Sequence, residues 1–141
     1  MLNSCFVFSV RLVGSPLAHA GFVQIRQNGR WGSFCDWSWE LTQGHVVCRE
    51  LGYRRALYTT IGELFEQQFR GPIWVEEAVC DGNESSIFNC DLKYIWDYED
   101  VMACDHSHSA GVICESNHDP RLNGKLMLGS LSFMNYLVLA A

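Results

Sequence analysis

The sequence of 141 residues has only three prolines, only ten Lys plus Arg, and no apolar run of membrane-spanning length. Each shortage excludes something. Few prolines, and twelve glycines without a repeating period, exclude a collagen-like or linker chain. Ten basic against sixteen acidic residues, a net charge of −6, exclude a general nucleic-acid binder, which needs a basic footprint. A membrane helix needs about twenty apolar residues. The longest uncharged segment, Leu126–Ala141, falls short and is diluted by Gly129, Ser130, Ser132 and Asn135. There is no internal repeat and no G-x-S-x-G nucleophile element. What is present is a hydrophobic fraction of 48% with 13% aromatics, too rich for a disordered chain. The length suits one domain of about 100–150 residues. Seven cysteines are many for a cytosolic protein.

Those cysteines are Cys5, Cys35, Cys48, Cys80, Cys90, Cys104 and Cys114, and no two are spaced C-x-x-C. Structural zinc sites pair ligands across about two to four residues, because one tight turn must present two thiolates to one ion. Wide scatter fits a disulfide framework instead. Cys35 to Cys114 contain an even set of six, for which about fifteen pairings exist, and spacing alone selects none. Cys5 is left over. Asn83-Glu84-Ser85 is an N-glycosylation acceptor sequence in a polar, turn-like stretch, so Asn83 is a candidate glycan site.

Local patterns predict strands around one helix. Val10–Val13 reads as a first strand, ended by Gly14-Ser15-Pro16. Phe22–Arg26 and Arg30–Cys35 read as a hairpin about Asn28-Gly29, the dipeptide suited to positive φ at both turn positions. Glu40–Leu51 reads as a helix that turns Val47, Cys48 and Leu51 to a core, with Gly52 as its left-handed cap. Gly44 weakens that helix by about 1 kcal/mol relative to alanine. Leu57–Phe69 reads as irregular loop, Ile73–Val75 as a strand, and Glu84–Cys90 as one or two helical turns. Asp91–Ala103 reads as an acidic, aromatic loop and Gly111–Cys114 as the last strand. Residues 1–9 form an N-terminal flank that reads as a fragment end. Residues 116–141 form a tail open to three readings: a truncated anchor, an extra element, or an unstructured end, the last being favoured.

The runs Val10–Gly14, Gly29–Asp36, Val46–Gly52, Gly71–Trp74, Cys80–Ser85 and Ala110–Cys114 together resemble the scavenger receptor cysteine-rich (SRCR) domain. The resemblance covers residues 10–115. The eight-cysteine form of that family has an extra bridge where this chain has Ala18–Ala20 and Tyr53, so the chain resembles the six-cysteine group A. The resemblance implies an α+β fold, a curved antiparallel β-sheet cradling one α-helix, and the pairing Cys35–Cys104, Cys48–Cys114 and Cys80–Cys90. It further implies a non-enzymatic, extracellular recognition module, secreted or on an ectodomain, of the kind found in innate immunity. Any membrane attachment would come through parts outside this chain or truncated from it.

Three functional classes follow from that resemblance. The first is scavenger-type binding of polyanionic or pathogen-surface ligands, for which clustered arginine is needed. Arg26 and Arg30 flank the hairpin turn, and Arg54 and Arg55 follow the helix. The second is protein–protein adhesion through Trp37, Trp39, Tyr94, Trp96 and Tyr98. The third is an accessory module of a larger protease or lysyl oxidase-like enzyme. No cofactor is certain, and calcium is the one candidate. The family's acidic cluster is retained at Asp36, Glu76 and Glu77, but Trp37 and His108-Ser109 stand where further acids belong. His106 and His108 lie on one side of an extended segment if it is a strand. Two polar loop residues is the plainer reading, and a metal pair the other.

Overall fold

The computed structural model describes residues 9–66, 71–95 and 104–116. Its elements are β1 Ser9–Val13, β2 Ala20–Gln27, β3 Arg30–Phe34, α1 Leu41–Glu50, β4 Ala56–Thr60, β5 Ile73–Val79, β6 Asp91–Tyr94 and β7 Gly111–Cys114. Short 3₁₀ turns cover Ile87–Asn89 and His106–His108. The strands form one curled sheet in the order β4-β7-β2-β3-β5-β6, with β1 also on β2. Strand β2 is the hub. Its first residues pair with β7, its last with β3, and β1 runs antiparallel along Phe22–Arg26.

The hairpin forms as its dipeptide demands, with φ +51° at Asn28 and +77° at Gly29. Helix α1 starts at Glu40, whose backbone N–H donates to the Gln43 side chain, and ends before Gly52 in the left-handed region at φ +92°. Gln43 also donates to the Ala78 carbonyl and so ties α1 to β5. Gly44 has a packing reason. A Cβ there would lie 3.0 Å from both Ala56 Cβ and Thr59 Cγ2, so the helix approaches β4 as closely as glycine allows.

Both sheet faces bury apolar groups. The helix side holds Val23, Ile25, Phe34, Val46, Val47, Val75, Val112 and their neighbours. The opposite side holds a small cluster of Ala20, Phe22, Ile113 and Phe65, with the Phe22 and Phe65 rings edge to face. Three disulfides staple the fold: Cys35–Cys104, Cys48–Cys114 and Cys80–Cys90. The first two have sequence separations of 69 and 66; one ties Cys35, just after β3, to Cys104, and the other ties Cys48 of α1 to Cys114 of β7.

Four expectations are corrected. The sheet is mixed rather than antiparallel, because β3 and β5 pair in parallel. The chain between them crosses over through α1 and β4, and such a long crossover permits parallel pairing. Ala56–Thr60 is a strand, not loop. Asp91–Tyr94 is a strand on β5 rather than part of a loop. Strand β5 runs on through the acidic pair to Val79, with a register shift between Val75 and Glu77. That bulge puts both glutamates off the core while Val75 and Ala78, three apart, both face inward. Cys5, Trp96, Tyr98, most of the N-terminal flank and nearly all of the tail lie outside the described residues.

Candidate ligand-binding surface

The inward side chains of β1, Val10 and Leu12, pack on the main core. Alternation therefore turns Arg11 to the opposite face. There it stands across from Gln24, whose Oε1 accepts from Arg11 Nε at 3.0 Å and from its Nη2 at 2.8 Å. Gln24 is 2% exposed, and its amide donates to Ser33 Oγ. This chain of bonds holds the guanidinium 4.1 Å from the Trp31 ring centroid, a cation–π contact. Arg26 lies two residues beyond Gln24 on the same face and directly across from Trp31. Burial, and then the charge of Arg26, push the Arg11 pKa down. The two cations therefore feel each other across the outer face of β1–β2–β3.

The four arginines picked from sequence occupy three places. Arg26 joins Arg11 and Trp31. Arg30 pairs with Gln27 and so falls on the other hairpin face, beside Trp74. Arg54 and Arg55 sit where β4 begins, next to Glu115 and the start of β2. The seven residue steps along the extended chain from His19 to Arg26 separate them from the hairpin turn by roughly 23 Å. Arg55 is paired with Glu115 at 2.9 Å, and this bond, with help from Arg54, holds the Glu115 carboxyl below its ordinary range. Arg26 and Arg30 form no ion pair with any described residue. Arg11 was missed in the sequence; its signal is the polar position between Val10 and Leu12 in a strand that faces Gln24.

The three candidate calcium carboxylates are placed but not gathered. Asp36 is turned inward, accepting from the Gly62 N–H at 2.8 Å and facing His108 Nδ1 at 3.4 Å. Glu76 turns to Lys93 at 3.2 Å, and Glu77 accepts from Ser38 Oγ at 3.1 Å. They do not all come within 4.8 Å of one another, so one ion does not meet all three. Among the described residues only Cys80, Glu84 and Cys90 cluster that tightly, and both cysteines there are disulfide-bonded. His106 and His108 lie in a 3₁₀ turn, not an extended segment, and part company. His106 Nε2 meets the Gly71 carbonyl at 2.6 Å, whereas His108 faces Asp36.

Of the aromatic candidates, Trp39 is core: it is 6% exposed, and its Nε1–H donates to the Gly111 carbonyl. Tyr94 Oη accepts from Gln27. Trp37 is 38% exposed, and Tyr58 and Ile61, at 51% and 66%, lie on or beside the edge strand β4. Asn83 is exposed in the loop closed by Cys80–Cys90.

The family model for the scavenger receptor cysteine-rich domain matches residues 13–115. The chain belongs to the SRCR family. Its SRCR domain is 46% identical over 108 residues to the macrophage scavenger receptor types I and II of Mus musculus, covering 77% of this chain and 22% of that protein. It is 40% identical over 122 residues to the galectin-3-binding protein of Rattus norvegicus, covering 83% and 20%. It is 38% identical over 107 residues to human lysyl oxidase homolog 2, covering 76% and 13%. The chain thus spans about a fifth or less of these relatives. Among solved structures, the third SRCR domain of murine neurotrypsin superposes with a TM-score of 0.66 at 34% identity, covering 79% of this chain and all of that one. The dimeric form of the SRCR domain of mouse MARCO gives 0.56 at 27% identity, with coverage of 82% and 100%. SRCR domains are non-catalytic recognition modules, and the enzymes among the relatives act through other domains. No helix among the described residues is long and apolar enough to cross a membrane.

Proposed function

We propose that this SRCR domain acts outside the cell as a recognition module for polyanionic ligands, including pathogen-surface polymers, of the scavenger-receptor kind. The observation that carries this reading is the Arg11–Trp31–Arg26 surface. It has two guanidinium groups on one sheet face of an acidic domain, one held rigid by Gln24. A planar guanidinium grips sulfate, phosphate or carboxylate through two N–H bonds, and prior fixation lowers the ordering cost of binding. Asn83 is the proposed glycan acceptor. Arg54 and Arg55 are too far away to belong to the same surface, and Arg55 already has a carboxylate.

The test is dextran sulfate binding measured across a salt series. Wild type should bind more weakly as salt rises, and Arg26→Ala should flatten the log–log slope by roughly 1. Arg54→Ala with Arg55→Ala should leave the slope in place. A slope unchanged by Arg26→Ala sinks this assignment. A second reading, protein–protein adhesion, is favoured by the exposure of Trp37, Tyr58 and Ile61. Alanine at Tyr58 and Ile61 would then abolish partner binding and spare dextran sulfate.

A further inference from the structure

The other face of the hairpin carries a separate feature. An open cleft of about 370 Å³ lies between the β2–β3 turn and β5, lined by Gln27, Asn28, Arg30 and Trp74. That volume is in the range of about 300–1,000 Å³ that small-molecule sites occupy. Each wall is set by structure already described. Trp74 lies flat over Gly32, close enough that a Cβ on Gly32 would fall 2.3 Å from its Cδ2. The Gln27 amide is held by Tyr94 Oη at 2.9 Å. Asn28 sits in a turn whose two positive φ values hold one backbone geometry. Arg30 is exposed and unpaired among the described residues.

The chemistry of these four walls matches one ligand class. An indole face takes the C–H-rich side of a pyranose ring, since polarised C–H groups meet the negative face of the π-system. Side-chain amides match sugar hydroxyls in both donor and acceptor sense. A lone guanidinium matches one carboxylate bidentately. A nucleotide or polyphosphate would want more than a single cation, and an apolar ligand would leave the Arg30 guanidinium without a matching anion. We propose that this cleft binds one acidic sugar unit, a uronic-acid-type residue of an extracellular glycan. It is a second site, on the opposite hairpin face from Arg11 and Arg26.

The experiment is an NMR titration of the folded protein with methyl β-glucuronide, and with methyl β-glucoside as its neutral match. The reporter is the indole Nε1–H resonance of Trp74, assigned through Trp74→Phe. The expected result is a saturable shift of that resonance with the glucuronide and a weaker effect of the glucoside. Arg30→Gln, at the exposed first position of β3, should lower glucuronide affinity at least about tenfold and erase the preference over glucoside. A Trp74 resonance that neither sugar moves, or glucuronide affinity unchanged by Arg30→Gln, overturns the proposal. Dextran sulfate binding is measured in parallel. If dextran sulfate binds and the glucuronide does not, only this cleft assignment fails. If neither binds, the polyanion reading fails with it.

Discussion

Replacing Cys48 and Cys114 together by alanine removes a bridge whose half-cystines are both fully buried. Considered alone, a loop of 66 residues closed by a disulfide is worth about 4.4 kcal/mol of unfolded-state entropy. The bridge is not alone. Cys35–Cys104 overlaps it, and with that link intact the shortest path from Cys48 to Cys114 runs back to Cys35, across, and on from Cys104. The residual loop is about 23 residues, worth about 3.4 kcal/mol. By symmetry, removing Cys35–Cys104 alone relaxes the same residual loop and costs the same entropy. Cys80–Cys90 encloses 10 residues and is worth about 2.7 kcal/mol, and Cys80 is less buried than the other half-cystines. The assay is urea unfolding of each double-alanine variant without reductant. The two long-bridge variants should lose similar stability, about 3–5 kcal/mol once lost sulfur packing is added. The short-bridge variant should lose least. Removing both long bridges approaches the whole stability of a typical domain, about 5–15 kcal/mol, and should abolish cooperative unfolding. A short-bridge variant less stable than either long-bridge variant would refute the loop argument. So would a cooperative transition near the wild-type midpoint with both long bridges gone.

Gly32→Ala forces a methyl into the Trp74 ring, so it should cost about 1–3 kcal/mol and shift the Trp74 fluorescence, read by urea unfolding and emission spectra. A silent substitution would show that the ring moves aside freely. Glu50 accepts from Ser86 Oγ and the Ile87 N–H, both at 2.9 Å, and so anchors the Cys80–Cys90 loop to α1. Glu50→Ala should destabilise by about 1–3 kcal/mol and speed amide exchange at Ile87. The Glu84 carboxylate accepts the N–H groups of Asp81 and Gly82 at 2.8 Å each, and the Asp81 bond chiefly lowers its pKa below 4.5. A lowered folded pKa contributes stability that is complete above the unfolded value and is lost as pH falls through the folded one. Stability should therefore decline below about pH 4.5, and Glu84→Gln should flatten that decline in pH-resolved melting. An unchanged acid limb in Glu84→Gln would assign the effect to Asp105, held low by the Ser107 hydroxyl, and to Glu115.

Elements written in local chemistry were readable from the chain. Asn28-Gly29 specifies a hairpin because few other dipeptides tolerate two positive φ values, and Gly52 marks the helix end for the same reason. The apolar spacing of α1 announced its buried side. Strand β4 was unreadable because Leu57 and Tyr58 are both exposed, which breaks the alternation a half-buried strand shows. Strand β6 is four residues long with Asp91 and Lys93 in it, and only its partner β5 makes it a strand. The acidic pair misled for a related reason: a bulge turned Glu76 and Glu77 out of the core together, yet toward different partners.

By itself the sequence determined the cysteine-rich character, the helix, the hairpin and a set of motifs that resembles one family, because each depends on residue types close together in the chain. Only the tertiary structure decided which charges meet. Arg11 and Arg26 share a face because β1 lies on β2 in one register, and Arg30 leaves them because it pairs with Gln27. Side-chain direction alternates with every residue, so a one-residue change of register would exchange the faces. The chain's shortage of basic residues therefore matters less than where its few arginines stand.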